Sequence, residues 1–182
     1  MFIRRFVAAI FLALAACASV PDASLPTVGQ VEYRIGPGDR LALSVFREES
    51  LSGEFTVNEL GVASLPLVGD IQAAGKTLPE FRADLVTLLG SEFVRDPNVT
   101  VNVVNYRPVY VLGEVTRPGE YAYNERMTVY ALVAMAGGFT YRANQNIAMV
   151  RHENDPEERA YELTSGAAVL PGDTIRFVQR YF

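Results

Sequence analysis

Tyr33-Arg-Ile-Gly-Pro-Gly-Asp-Arg-Leu-Ala-Leu-Ser-Val-Phe46 decides the fold, because it joins a tight turn to a strand of alternating character. Pro37 restricts its own φ, while Gly36 and Gly38 can adopt φ values closed to other residues. Asp39 can hydrogen-bond to the nearby backbone. Past the turn, one face of the strand carries Leu41, Leu43 and Val45, and the other carries Ala42, Ser44 and Phe46. The segment predicts a turn that enters a half-buried strand.

Residues 31–105 are predicted to form a β-rich module with one packed helix. Gly, Asn and Pro separate the strand candidates, which lie at about 31–35, 40–46, 54–58, 61–65 and 68–72. Thr77 and Glu80 have the spacing of a capping box at a helix start, and Gly90 predicts the helix end. A valine-rich strand at 99–104 completes this module.

Residues 106–182 predict a second module, in which strands surround one short helix. The strands are expected at about 109–112, 120–123, 146–151, 159–163 and 174–178. Thr128 can cap a helix over 129–136, and Gly137 and Gly138 end it. One helix packed on a sheet fits a β-grasp, so the predicted fold class is α+β. Gly172-Asp173 repeats the Gly38-Asp39 pair, and we interpret both as turns that lead into a strand.

The N-terminus is typical of an exported lipoprotein. Arg4 and Arg5 precede an unbroken apolar run, which predicts a cleavable signal over residues 1–16 that is too short to span a bilayer. Leu14-Ala-Ala-Cys17 resembles the bacterial lipoprotein cleavage box, so Cys17 is the expected lipidation site. The alternative is an ordinary signal with an incidental cysteine. Residues 17–30, rich in Pro and small polar side chains, predict a flexible tether.

The composition excludes several classes of protein. The formal net charge is −5 and becomes −7 once the predicted signal is removed, and Lys76 is the single lysine. So acidic a chain argues against nucleic acid as a partner. Cys17 is the only cysteine, so no internal disulfide can form.

The motifs in this order resemble the bacterial outer-membrane polysaccharide export family, which passes capsule or exopolysaccharide to the outer membrane. After the opening turn, the resemblance rests on Val111-Leu-Gly-Glu-Val115, Pro118-Gly119, Ala136-Gly-Gly138 and Pro171-Gly-Asp-Thr-Ile175. It covers about residues 31–182. It implies a polysaccharide export domain over 31–105 and a soluble-ligand-binding β-grasp (SLBB) domain over 106–182.

The resemblance also implies a role and partners. The protein is expected at the periplasmic face of the outer membrane, anchored by lipid on Cys17, where it guides a polysaccharide through a passage without catalysis or cofactor. The expected partners are further copies in a homo-oligomeric ring, an inner-membrane polysaccharide co-polymerase and a separate outer-membrane β-barrel protein. Because the sequence stops at Phe182, we expect the short class of the family, which lacks the C-terminal membrane helix.

Two other functions stay open at this point. The β-grasp module could bind a small soluble ligand or glycan without transport. A glycan hydrolase needs two carboxylates, and Glu48, Glu49, Glu54 and Glu59 are available, although any acidic surface offers such pairs.

Several chemical sites are excluded by spacing. Gly69 to Lys76 resembles a phosphate-binding loop, but five residues separate its glycines where four are required. His152 lies in a polar turn and is interpreted as a solvated loop residue, because neither a catalytic base nor a zinc ligand works without partners. We therefore predict no catalytic residue, no metal site and no cofactor.

Tyrosines are the remaining functional signal. They cluster in the second module, and a tyrosine suits a sugar face or a protein interface because it combines apolar area with a hydroxyl group. Tyrosine is also common in strands, so most of them are expected to be structural. The candidates for glycan or subunit contact are Tyr110, Tyr121, Tyr123 and Tyr141.

Overall fold

The computed structural model describes residues 23–180, so the predicted signal and Cys17 lie outside the described residues. In this range the chain is β-rich with two α-helices and two hydrophobic cores, which confirms the α+β fold class. Neither helix is long and apolar enough to cross a membrane. The helices are α1 (Leu78–Glu92) and α2 (Val129–Met135). The strands are β1 (Ala23–Ser24), β2 (Arg40–Val45), β3 (Gly53–Thr56), β4 (Val62–Leu65), β5 (Gly69–Gln72), β6 (Val99–Asn105), β7 (Val109–Gly113), β8 (Gly119–Tyr121), β9 (Ala143–Arg151), β10 (Arg159–Glu162) and β11 (Thr174–Gln179).

The first core is built on the strand that follows the opening turn. β2 lies between β3 and β6 in an antiparallel sheet, and β4 pairs with β5 in a separate hairpin. The inward face of β2 buries the residues that its alternation predicts, Leu41, Leu43 and Val45. Helix α1 adds three fully buried side chains to this core: Phe81, Leu85 and Leu89.

Helix α1 begins where the capping box predicts and ends later than expected. The Thr77 hydroxyl accepts a hydrogen bond from the Glu80 N–H, and the Glu80 carboxylate accepts one from the Thr77 N–H. Gly90 does not end the helix, because its backbone is not in the left-handed region that a glycine cap requires. Instead the Leu89 carbonyl accepts hydrogen bonds from the N–H groups of Phe93 and Val94.

The second core lies beneath a six-stranded sheet of order β1-β10-β9-β11-β7-β8. β11 pairs in parallel with β7 and antiparallel with β9, an arrangement that is consistent with a β-grasp. Helix α2 packs on this sheet through buried residues, and the Thr128 hydroxyl caps it by accepting from the Ala131 N–H. Gly137 and Gly138 have φ of +83° and +90° and end the helix as predicted.

The described residues before the first module, 23–30, pack against the second module, and β1 joins its sheet. The sequence predicts a flexible tether over 17–30, but β1 pairs in parallel with β10, and the Pro26 carbonyl accepts from the Ala168 N–H. Leu25 is buried in the second core. Residues 23–30 are ordered because they pair with the edge of β10 and contribute an apolar side chain to the core, two effects that composition does not show.

The strand expected at 31–35 does not form. Ile35 is buried, and its backbone bonds to the turn before α1, donating to the Lys76 carbonyl and accepting from the Gly75 N–H. These two bonds hold the segment in place without a ladder to a neighbouring strand. It runs on directly into the Gly36–Asp39 turn.

Candidate functional site

Two Pro-Gly-Asp turns, one in each module, are built in the same way. Asp39 accepts a hydrogen bond from the Gly36 N–H at 2.7 Å, and Asp173 accepts one from the Leu170 N–H at 2.8 Å. Both carboxylates are buried, at 0% and 1% exposure. The glycines before them have φ of +88° and +85°, which favours glycine at Gly38 and Gly172. The repeated Gly-Asp pair in the sequence therefore marks one local structure used twice.

Arg107, in the link between β6 and β7, joins the modules at these turns. Its N–H and its Nη1 donate to the two oxygens of Asp39 at 2.9 and 2.6 Å. Its Nε lies 2.7 Å from Glu153 Oε2 in an ion pair. A Cβ added at Gly36 would come within 2.5 Å of Nη1, and one at Gly172 within 3.0 Å of Nε. The guanidinium group thus fits between two glycine-lined turns.

His152 is part of this junction, which corrects its interpretation as a solvated loop residue. Its Nδ1 lies 2.7 Å from Asp173 Oδ1, and the side chain is about three-quarters buried. The hydrogen bond to Asp173 raises the pKa of His152 against the opposing effect of burial. The contact of His152 with Asp173 could not be predicted from the local sequence, because the two residues are 21 positions apart in the chain.

Three tyrosines stack edge to face beside the junction. The ring centroids of Tyr33 and Tyr106 are 5.0 Å apart, and those of Tyr106 and Tyr123 are 5.2 Å apart. The Tyr33 hydroxyl donates to Asp39 Oδ2, and the Tyr106 hydroxyl donates to Glu125 Oε1. Burial, reinforced by these hydrogen bonds to carboxylates, raises the pKa of Tyr33 and of Tyr106, so both are neutral donors.

The stacked tyrosines line an open cavity of about 210 Å³ between the modules. Val31 and Leu78 from the first half of the chain and Met127 from the second supply apolar walls. Glu125 and Arg126 form an exposed polar rim. An aromatic wall with a charged rim can hold a small amphipathic group by its apolar face and its polar edge together.

The structure separates the four tyrosines singled out in the sequence. Only Tyr123 lines the cavity. Tyr121 packs on the second core and donates its hydroxyl to the Arg117 carbonyl, whereas Tyr141 is 80% exposed. Tyr110 is half-exposed on β7 and lines a separate pocket together with Arg107. Sequence reasoning missed Tyr33, Arg107 and Arg126, whose proximity depends on how the two modules pack.

Two chemical sites weighed in the sequence, a metal site and a phosphate-binding loop, can be compared with the structure of residues 23–180. No group of three His, Cys, Asp or Glu side chains in this range is placed to hold a metal ion. The stretch that resembles a phosphate-binding loop forms strand β5 and the turn before the Thr77 cap. The contacts of Arg107 with Asp39 and Glu153 hold the two modules together at the junction.

Models of known families match the chain in two consecutive ranges. A model described as polysaccharide biosynthesis/export protein matches residues 27–104, and an SLBB domain model matches residues 108–168. The chain belongs to the bacterial polysaccharide export family. This confirms the family to which the sequence motifs point, and it is an export family rather than an enzyme family. Arg107 lies between the two matched ranges.

Curated relatives are named for the production or the export of exopolysaccharide. The exopolysaccharide production protein ExoF of Rhizobium meliloti is 38% identical over 171 residues, which cover 87% of this chain and 40% of the relative. The EPS I polysaccharide export outer membrane proteins EpsA of Ralstonia solanacearum and Ralstonia nicotianae are 31% and 32% identical, each over 63% of this chain. The chain spans about two fifths of the length of these relatives.

Proposed function

We propose that this protein is a periplasmic component of an exopolysaccharide or capsule export machine, held at the outer membrane by a lipid on Cys17. The observation that carries the proposal is the ordered pair of export and SLBB domains, together with a match to an exopolysaccharide production protein over 87% of the chain. The predicted signal and lipoprotein box supply the route to the envelope.

The proposed mechanism is passive guidance of the polymer, without a cofactor. Three features of the described surface support contact with a glycan in this proposal: an aromatic-walled cavity, exposed tyrosines and a polar rim. Weak contacts suit transport, because a polymer must leave each site as readily as it enters. The protein would line a passage between an inner-membrane co-polymerase and an outer-membrane β-barrel partner, as part of a homo-oligomeric ring.

A clean deletion strain tests the export role. We expect loss of surface polysaccharide, accumulation of polymer inside the cell, and restoration by a plasmid copy of the gene. Cell-surface and intracellular polysaccharide are measured separately, so that a defect in synthesis is distinguished from one in export. Normal surface polysaccharide without an intracellular backlog, in a strain with no paralogue, would contradict export and favour binding of a soluble ligand without transport.

The proposed assembly has its own test. Cross-linking in intact cells, followed by affinity purification, should recover multiples of this chain together with an inner-membrane co-polymerase and a β-barrel protein. Recovery of monomer alone at native abundance, under conditions that cross-link a known envelope complex, would contradict a ring.

A further inference from the structure

The cavity between the modules combines an apolar aromatic wall with an arginine that forms no ion pair among residues 23–180. Arg126 lies on the rim, and its Nη2 is 4.0 Å from the position of a Cβ added to Gly29, which also lines the cavity. Within residues 23–180, no carboxylate forms an ion pair with Arg126. Its neighbour Glu125 is engaged by the Tyr106 hydroxyl.

The protein has an excess of acidic groups, with a net charge of −5, so carboxylates are plentiful as partners for an arginine. An arginine that forms no ion pair in such a chain is therefore a candidate for binding an anionic ligand. The tyrosine beside it, Tyr123, packs edge to face on Tyr106, and its hydroxyl accepts a hydrogen bond from the backbone N–H of Arg126. A guanidinium group recognises carboxylates through paired N–H donors, and an aromatic face accepts the apolar face of a sugar ring.

We propose that this cavity binds one acidic sugar unit of a glycan, with the ring against Tyr106 and Tyr123 and the carboxylate on Arg126. The volume of about 210 Å³ is below the roughly 300–1,000 Å³ of typical ligand pockets, which favours a single sugar ring over a longer stretch of polymer. The assignment rests on the proposed export function for the source of the glycan. It gives the acidic protein a positively charged point of contact for an anionic polymer in this cavity.

The experiment titrates the purified, ¹⁵N-labelled full chain with oligosaccharides prepared by partial acid hydrolysis of the host's own exopolysaccharide. The matched probe is the same oligosaccharide after chemical reduction of its carboxyl groups, which removes the charge and keeps the ring. We expect amide shifts around Gly29, Tyr123 and Met127 with the acidic probe. The reduced probe should bind about tenfold more weakly, as expected for the loss of one charge-assisted hydrogen bond.

The variant Arg126→Asn removes the guanidinium and keeps a residue that tolerates left-handed backbone, since Arg126 has φ of +62°. Arg47→Asn is the matched control, because Arg47 is also an exposed arginine with φ of +64° but lies beside Phe46, away from the cavity. Arg126→Asn should weaken binding of the acidic probe about tenfold, with Arg47→Asn unchanged.

Any of three results would overturn the assignment: equal affinity for the acidic and reduced probes, equal affinity of the two variants, or shifts confined to other surfaces. A host polymer without acidic sugars or acidic substituents would also overturn it. The binding result is separate from the export role, because the deletion strain tests export without reference to the cavity. Normal export in that strain would contradict the proposed function, and the titration would still determine what the cavity binds.

Discussion

A single carboxylate, Asp39, shows why the opening turn is constrained. It is fully buried and accepts hydrogen bonds from the Gly36 N–H, the Tyr33 hydroxyl, and the backbone and guanidinium of Arg107. A buried charge is costly unless it is paired and hydrogen-bonded, so this carboxylate needs all of these donors. The motif that identifies the family thus encodes a contact between modules.

Removing the cation from this pair should be strongly destabilising. Arg107→Ala leaves Asp39 buried without its counter-charge, and we expect a loss of about 3 kcal/mol in the free energy of unfolding. Urea denaturation of the full chain measures this quantity. Arg176→Ala is the control, because its ion pair with Glu158 is partly exposed and should contribute less than about 1 kcal/mol. Similar losses for both variants would show that the buried ion pair of Arg107 contributes no more to stability than a partly exposed one.

Gly113, in the Val111–Val115 motif, is required for a different reason. Its φ is +81°, and a Cβ added there would lie 2.1 Å from the Phe177 carbonyl oxygen on the neighbouring strand. We expect Gly113→Ala to cost about 3 kcal/mol or more, since left-handed strain adds to a collision with backbone.

Gly69→Ala separates the two contributions at Gly113. Gly69 has φ of +86° but open space around its Cβ position, so only the backbone strain of about 1 kcal/mol should remain. The midpoints of thermal unfolding of the two variants provide the comparison. If Gly113→Ala were as mild as Gly69→Ala, the close approach of the strands would not matter.

Among helices and strands, those with local signals were predicted well. The Thr77 capping box, the Thr128 cap and the alternation in β2 each depend on neighbours within a few residues, and the structure contains all three. The expected strand at 31–35 and the end of α1 at Gly90 were wrong. In both cases contacts with residues distant in the chain determine the local structure. The Lys76 carbonyl accepts a hydrogen bond from the Ile35 N–H, and Leu89 is buried in the first core where the helix continues.

The link between β9 and β11 should make stability depend on pH. His152 follows β9, Asp173 precedes β11, and their hydrogen bond raises the pKa of His152. A raised pKa in the folded state means that the stabilisation is complete below the ordinary value of 6.5 and is lost as the pH rises through the higher folded value. His152→Gln should lack this dependence.

Urea midpoints of the wild type and of His152→Gln between pH 5.5 and 9 provide the measurement. The advantage of the wild type over the variant should shrink as the pH rises. A constant difference across this range would mean that protonation of His152 is not coupled to folding. Below pH 5.5 carboxylates also titrate, so that region is excluded from the comparison.

For the whole molecule, the path of the chain determines which module the proposed lipid anchor holds near the membrane. The chain enters at the edge of the second sheet through β1, crosses to build the first module, and returns through Arg107. Cys17 precedes Ala23 by six residues, which can reach at most about 20 Å. A lipid on Cys17 would therefore hold the second module close to the membrane.

Substitution of the proposed lipidation site should release the protein from the membrane. We expect Cys17→Ala to move the protein from the membrane fraction to the soluble envelope fraction and to abolish labelling by radioactive palmitate. Ser19→Ala is the control and should remain membrane-bound. Membrane association of Cys17→Ala with normal labelling would exclude a lipid anchor at this residue.

The sequence alone was sufficient for the fold class, the family and most of the regular elements, because turn residues, caps and alternating apolar residues act over short stretches of chain. The path of residues 23–30, the pairing of Arg107 with Asp39, and the cavity of Tyr33, Tyr106 and Tyr123 were decided only by tertiary structure. Each of these joins residues far apart in the chain, and burial of charge and apolar area selects such partners only once both modules are packed together.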